Sequence, residues 1–184
     1  MKQARCVIII DGSNFYFKLK DLDLHYELQF DFSGFAKLLA GKNKIARCVY
    51  YVGAVRTDGT KHTQKLFNKQ QKLFANLKKH NFQYSLGYLL KSGGKMHEKG
   101  VDVNMAVDIV KGALKDEFEH FIIVSSDTDL LPAILVVKEA GKTIEYIGFS
   151  HQASLAMVAN CSESRLLKKE DLLPFVSRKI SPKK

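Results

Sequence analysis

An unbroken apolar run, Val7-Ile8-Ile9-Ile10, stops abruptly at Asp11-Gly12-Ser13-Asn14. A short apolar run closed by turn residues has the pattern of a buried strand. It constrains the fold because the same pattern recurs along the chain. Residues 46–52, 82–88, 120–124 and 143–147 read as further strands. Residues 32–40, 61–79, 101–114, 129–139 and 154–159 read as helices between and after them, with Pro132 tolerable in a first turn and Gly141 as a stop. Strands that alternate with helices imply an α/β fold with a mainly parallel sheet and right-handed crossovers. Residues 92–95 are expected to form a flexible loop, and residues 166–176 have no firm assignment.

Composition supports one core. The chain has 184 residues, 46% of them hydrophobic and 26% charged, enough for one full-size core and too few for two. One domain over residues 1–176 is expected, followed by a basic tail at 177–184. The longest apolar stretch, near residues 130–137, is far below the ~20 residues of a membrane span. The first apolar run is too short for a signal-peptide core, so a cytoplasmic address is expected. Cys6, Cys48 and Cys161 lie far apart with no CxxC pair, and read as small buried hydrophobes rather than zinc ligands.

Charge points to a partner. Lys and Arg total 29 against 19 Asp and Glu, a net +10. Nine of the lysines fall between Lys61 and Gly100, where the only acid is Glu98. On a helix over 61–79, Leu66, Phe67, Leu73, Phe74 and Leu77 share one face. Lys61, Lys65, Lys69, Lys72 and Lys79 share the opposite one. A solvated face normally mixes signs. This stripe, with Lys91, Lys95 and Lys99 beyond it, favours contact with phosphates, nucleic acid ahead of a membrane surface.

In parallel α/β sheets the chemistry lies beyond the carboxyl ends of the strands, where the strand order reverses. With an order of 3-2-1-4-5, the first and fourth strands are neighbours. Asp11 ends the first strand, with Asn14 three residues on, and Asp127 and Asp129 follow the fourth. Asp102 opens the helix at 101–114, on that same edge. Four carboxylates thus converge. They repel one another unless a cation joins them, and hard oxygen ligands suit Mg²⁺ or Mn²⁺. Each also has a structural reading: Asp11 as a turn residue, Asp102 as a helix cap, Asp127 or Asp129 as a cap before residue 130. Asp108 turns away from Asp102 and shares a face with Asn104, which leaves it at most a supporting place. On the same helix Val103, Ala106, Val107, Val110 and Ala113 gather on one side.

Other chemistries fit less well. Gly93-Gly94-Lys95-Met96 lacks the spacing of a phosphate-binding loop, and no GxGxxG or GxSxG is present. His62, His97 and His151 read as surface histidines.

Three segments, Val7 to Asn14, Lys99 to Val103 and Ser125-Ser126-Asp127-Thr128-Asp129, together resemble the NYN domain, the LabA/DUF88 group of PIN-like nucleases. The resemblance spans about residues 5–160. It implies a PIN-like three-layer α/β/α sandwich, an acidic Mg²⁺/Mn²⁺ pocket and action on RNA. By matching position Asp11, Asp102, Asp127 and Asp129 are the pocket acids. Asn14 orients the first loop, and Ser125 and Ser126 support ligand or water. The usual Ser-Gly-Asp-Ser-Asp is altered here at Ser126 and Thr128. Because PIN-like folds often pair, a homodimer is compatible with the resemblance. The expected activity is hydrolysis of RNA phosphodiester bonds, preferentially in single strands if Phe15, Tyr16 or Tyr88 stacks on bases. The alternatives are a non-catalytic RNA-binding module on the same fold and a small-molecule phosphatase. Nine lysines exceed what a mononucleotide requires.

Overall fold

In the computed structural model, residues 3–24, 27–92 and 95–176 are described, with backbone alone at residues 27 and 88–99. The first strand, β1 (Arg5–Asp11), lies inside a six-stranded sheet. The others are β2 (Lys44–Val52), β3 (Gln83–Leu86), β6 (His120–Val124), β7 (Thr143–Phe149) and β8 (Glu163–Leu167). Their order is β3-β2-β1-β6-β7-β8, and every pairing is parallel. The first five follow the expected order, and β8 adds an outer strand. A separate antiparallel pair, β4 (Tyr88–Ser92) with β5 (Lys95–Lys99), leaves the end of β3.

Alternation along β1 explains the layers, because successive side chains of a strand point to opposite faces. Cys6, Ile8 and Ile10 join a core with α1 (Gly12–Asp21), α2 (Phe32–Ala40) and the second half of α3 (Lys61–Lys79). Val7 and Ile9 join the opposite core with α4 (Val101–Leu114), α5 (Leu131–Glu139) and α6 (Leu155–Asn160). A last short helix, α7 (Lys169–Leu172), contributes Leu172 to the first core. Both faces of the sheet are therefore covered, which is why β1 can be apolar throughout. Cys6, Cys48 and Cys161 are buried free thiols, as their apolar settings suggest. No described helix is long and apolar enough to cross a membrane.

Several expectations need correction. The sequence pattern does not announce the helix α1, because its buried apolar positions, Phe15 and Leu19, are interleaved with the exposed Tyr16 and Phe17. The third strand stops at Leu86, and Tyr88 begins the hairpin instead; the loop expected at 92–95 is strand at Ser92 and Lys95, which pair, and residues 93–94 lie outside the described residues. The apolar face of α3 is buried only from Gln70 onward, and Leu66 is exposed. On α4 the valine stripe faces solvent at Val103 and Val107, whereas Met105, Ile109 and Ala113 enter the core. Two apolar faces compete on that helix, and a polar anchor described below selects one. The tail at 177–184 lies outside the described residues.

Candidate metal centre

The sheet reverses its winding between β1 and β6. Ile10 pairs with Val124, so Asp11 and Ser125 leave the two strands side by side. Asp11 is 5% exposed and uses both carboxylate oxygens. One accepts the Asn14 backbone N–H at 3.0 Å, capping α1. The other accepts the Ser125 hydroxyl at 2.9 Å. That hydroxyl in turn accepts the Asp127 N–H at 3.1 Å. Gly12 makes the sharp entry into α1 feasible: a Cβ there would lie 2.3 Å from the Tyr50 ring and 2.7 Å from the Tyr51 carbonyl.

Asp127 caps the 3-10 turn at Thr128–Leu130 by accepting the Asp129 N–H at 2.9 Å. Asp102 stands in the first turn of α4, where the helix dipole favours an anion. Gly100, at φ 87°, occupies the cap position, and no side-chain cap bond forms there. Asp102 is therefore not consumed as a cap. A carboxylate oxygen from each of Asp11, Asp102 and Asp127 lies within 4.8 Å of the others. They line a cleft of about 450 Å³ with Ser13, Asn14, Phe17, Gly100 and Val101.

The electrostatics are strained. Burial raises the Asp11 carboxyl above its ordinary range. Hydrogen bonds from Asn14 and Ser125 oppose the rise, and the Asp127 charge adds to it. The Asp102 side chain is largely exposed, yet its carboxyl end is partly shielded in the cleft. That shielding, then the charges of Asp127, Asp11 and Asp129, raises it as well. Among the described residues, the side-chain charges that shift Asp102 are all negative. Three hard oxygen donors from three elements, mutually repelling, suit a divalent cation such as Mg²⁺ or Mn²⁺.

The remaining expected residues fall into place around this trio. Asp129 is exposed and outside it, near enough for its charge to reach Asp102. Ser126 turns away and shares a 2.9 Å hydrogen bond with the Tyr146 hydroxyl, which also accepts the Ser154 N–H. Asp108 accepts the Tyr51 hydroxyl at 2.7 Å, and Asn104 donates to the Leu86 carbonyl at 3.3 Å. These two bonds anchor α4 on β2 and the end of β3, and so position Asp102. The buried Tyr51 gave no sequence signal for this, since a tyrosine in a strand reads as core.

On α3, Lys61, Lys65, Lys69 and Lys72 are exposed along a second cleft of about 580 Å³. The side chains of Lys91, Lys95, Lys99, His97 and Tyr88 lie outside the described residues. Phe15, an expected stacking residue, is fully buried among Phe30, Phe35 and Phe149. Gln70, unremarked in the sequence, is buried and holds the chain after β2, donating to the Gly53 carbonyl and accepting the Val55 N–H. A second group with metal-like spacing, His120, Glu145 and Glu163, lies toward the opposite edge of the sheet. Arg165 already neutralises Glu145 there with a forked contact at 2.7 and 2.9 Å.

Comparison with known proteins agrees with this fold. The family model of the NYN domain matches residues 5–167. The chain belongs to the NYN domain family. The crystal structure of VPA0982, a protein of unknown function from Vibrio parahaemolyticus, is similar in fold, with a TM-score of 0.67. The two share 17% identity over 91% of this chain and 96% of that one. None of the curated proteins compared matches it in sequence. The NYN membership carries a PIN-like nuclease fold, and the acid trio stands at the switch point of its sheet.

Proposed function

We propose that this NYN protein is an endoribonuclease that hydrolyses RNA phosphodiester bonds with Mg²⁺ or Mn²⁺ held by Asp11, Asp102 and Asp127. The observation that supports it most is the convergence of those three carboxylates within 4.8 Å in an open cleft. Two of these acids also cap helical turns, but the repulsion among the three charges costs stability unless a cation joins them. A bound divalent ion supplies Lewis acidity and positive charge at a phosphate.

The chain's own residues do the rest. The Ser125 hydroxyl donates to the Asp11 carboxylate and accepts the Asp127 N–H, so the two acids hold one spacing. Preorganised ligands of this kind need little rearrangement as charge develops on the phosphate. The N-terminus of α4 brings Asp102 in from the far wall. Asn14 and Ser13 offer polar atoms along the same cleft. The lysines of α3 attract the RNA backbone, which predicts binding that weakens with salt.

The test is cleavage of end-labelled single-stranded RNA with Mn²⁺, Mg²⁺ or EDTA, beside Asp127→Asn. Cutting that needs the metal and falls at least 100-fold in the variant is expected. No cutting by the pure wild-type protein with either metal, despite tight salt-sensitive binding, overturns the nuclease reading in favour of an RNA-binding module.

A further inference from the structure

Three clefts are linked in turn, the first two by the neighbouring rings of Phe17 and Tyr16 and the last two by shared walls. Phe17 lines the acid cleft. Its ring lies against that of Tyr16, with centroids 5.3 Å apart at 70°. Tyr16 lines a neighbouring cleft of about 540 Å³ with Leu28, Leu66 and Leu73. Leu28 and Lys69 also belong to the lysine cleft, so the path continues without a break to Lys61, Lys65 and Lys72.

The aromatic pair is not needed by the core. On α1 the buried face is filled by Phe15 and Leu19, whereas Phe17 is 57% exposed and Tyr16 42% exposed. Leu28 and Leu66 add apolar surface at 37% and 40% exposure. An exposed apolar patch of this kind between a cationic cleft and an acidic one marks a binding surface. Its occupant must carry anionic charge for the lysines and flat apolar faces for the rings. Single-stranded nucleic acid has both, because an unpaired base offers a free π-face that a base within a duplex does not.

We propose that Tyr16 and Phe17 form a base-stacking step between the lysine cleft and the acid cleft, so that the protein selects unpaired RNA over duplex. The inference deepens the nuclease reading and rests on it for the direction of the path. The chain contains no tryptophan, so Phe17→Trp creates a single reporter at the step.

The experiment titrates the full chain in EDTA, where no cleavage occurs. The probes are an adenosine 10-mer, an abasic strand of equal length and a blunt RNA duplex. Quenching of the Phe17→Trp fluorescence by the adenosine strand alone is expected. Phe17→Ala should weaken binding of that strand on the order of tenfold, leave the abasic strand unaffected and be rescued by Phe17→Trp. Equal quenching by the abasic strand, or no quenching by any probe, overturns the proposal, the latter being the outcome if the patch docks a protein. Adding Mn²⁺ to the wild type separates the two readings. Quenching without cleavage sinks the nuclease and keeps the stacking step. Cleavage without quenching sinks the step alone.

Discussion

Asp11 divides its two oxygens between a helix cap and a hydroxyl, and the negative charge is required by neither. Asparagine caps a helix as well as aspartate does, its carbonyl accepting the same N–H, while its NH2 donates to the Ser125 oxygen and that hydroxyl turns its hydrogen elsewhere. Folding holds the Asp11 carboxyl above its ordinary value. An acid raised in this way opposes folding at neutral pH, and its penalty fades as pH falls through the carboxylate range. Asp11→Asn should therefore raise the melting temperature in EDTA at pH 7. The gain should shrink toward pH 4. The same variant should lose the Mn²⁺-induced rise in melting temperature that the wild type shows. Thermal melts at two pH values, with and without Mn²⁺, test both halves. A variant that melts lower than wild type in EDTA contradicts the account. At this scale the sequence is informative about acids, since Asp11, Asp102 and Asp127 sit at strand and helix ends that the alternation locates. It is less informative about three consecutive aromatics. Phe15, Tyr16 and Phe17 differ by 100° steps around α1, and only the packed helix decides which one is buried.

Elements were legible in proportion to their apolar content. The strands β1, β6 and β7 are buried runs, and their order follows from the alternation. By contrast β8 reads Glu-Ser-Arg-Leu-Leu, with only Leu167 buried, so little in it announces a strand. Its place depends on one side chain. Arg165 grips Glu145 on β7 and also donates to the Leu38 and Leu39 carbonyls near the end of α2. Burial alone would raise the Glu145 carboxyl, but hydrogen bonds from His120 and Arg165 outweigh it and hold the group low. A lowered acid stabilises the fold above its unfolded pKa, and the contribution disappears as pH falls through its folded value. Arg165→Ala leaves that buried carboxylate short of its main partner. It should cost about 2–3 kcal/mol at pH 7, below the usual range for a fully buried pair because the guanidinium reaches solvent. Urea unfolding at pH 7 and again below pH 4.5, the ordinary glutamate value, should show the deficit narrowing in acid. A deficit that is constant with pH would assign the role of Arg165 to packing.

Across the whole molecule, two opposite fields share one side. The acid trio repels a polyanion that the lysines of α3 attract, and a net charge of +10 sets the balance toward attraction. The lysine stripe was visible in the sequence, whereas its continuity with the acid cleft was not. That continuity depends on α1 and on the short turn at Glu27–Gln29, neither of which has a strong periodic signal. If Lys61, Lys65, Lys69 and Lys72 each neutralise a phosphate, changing all four to glutamine should flatten the plot of log Kd against log salt by about 3, at roughly 0.7 per contact for a single strand. The fold should not suffer. Lys61 and Lys65, and Lys65 and Lys69, are like charges four residues apart on one helix, so their removal relieves repulsion of a few tenths of a kcal/mol per pair. An unchanged melting temperature with a flatter salt slope identifies the stripe as a phosphate-contacting surface. An unchanged slope identifies it as an ordinary solvated face and moves the attraction to other cations of the chain.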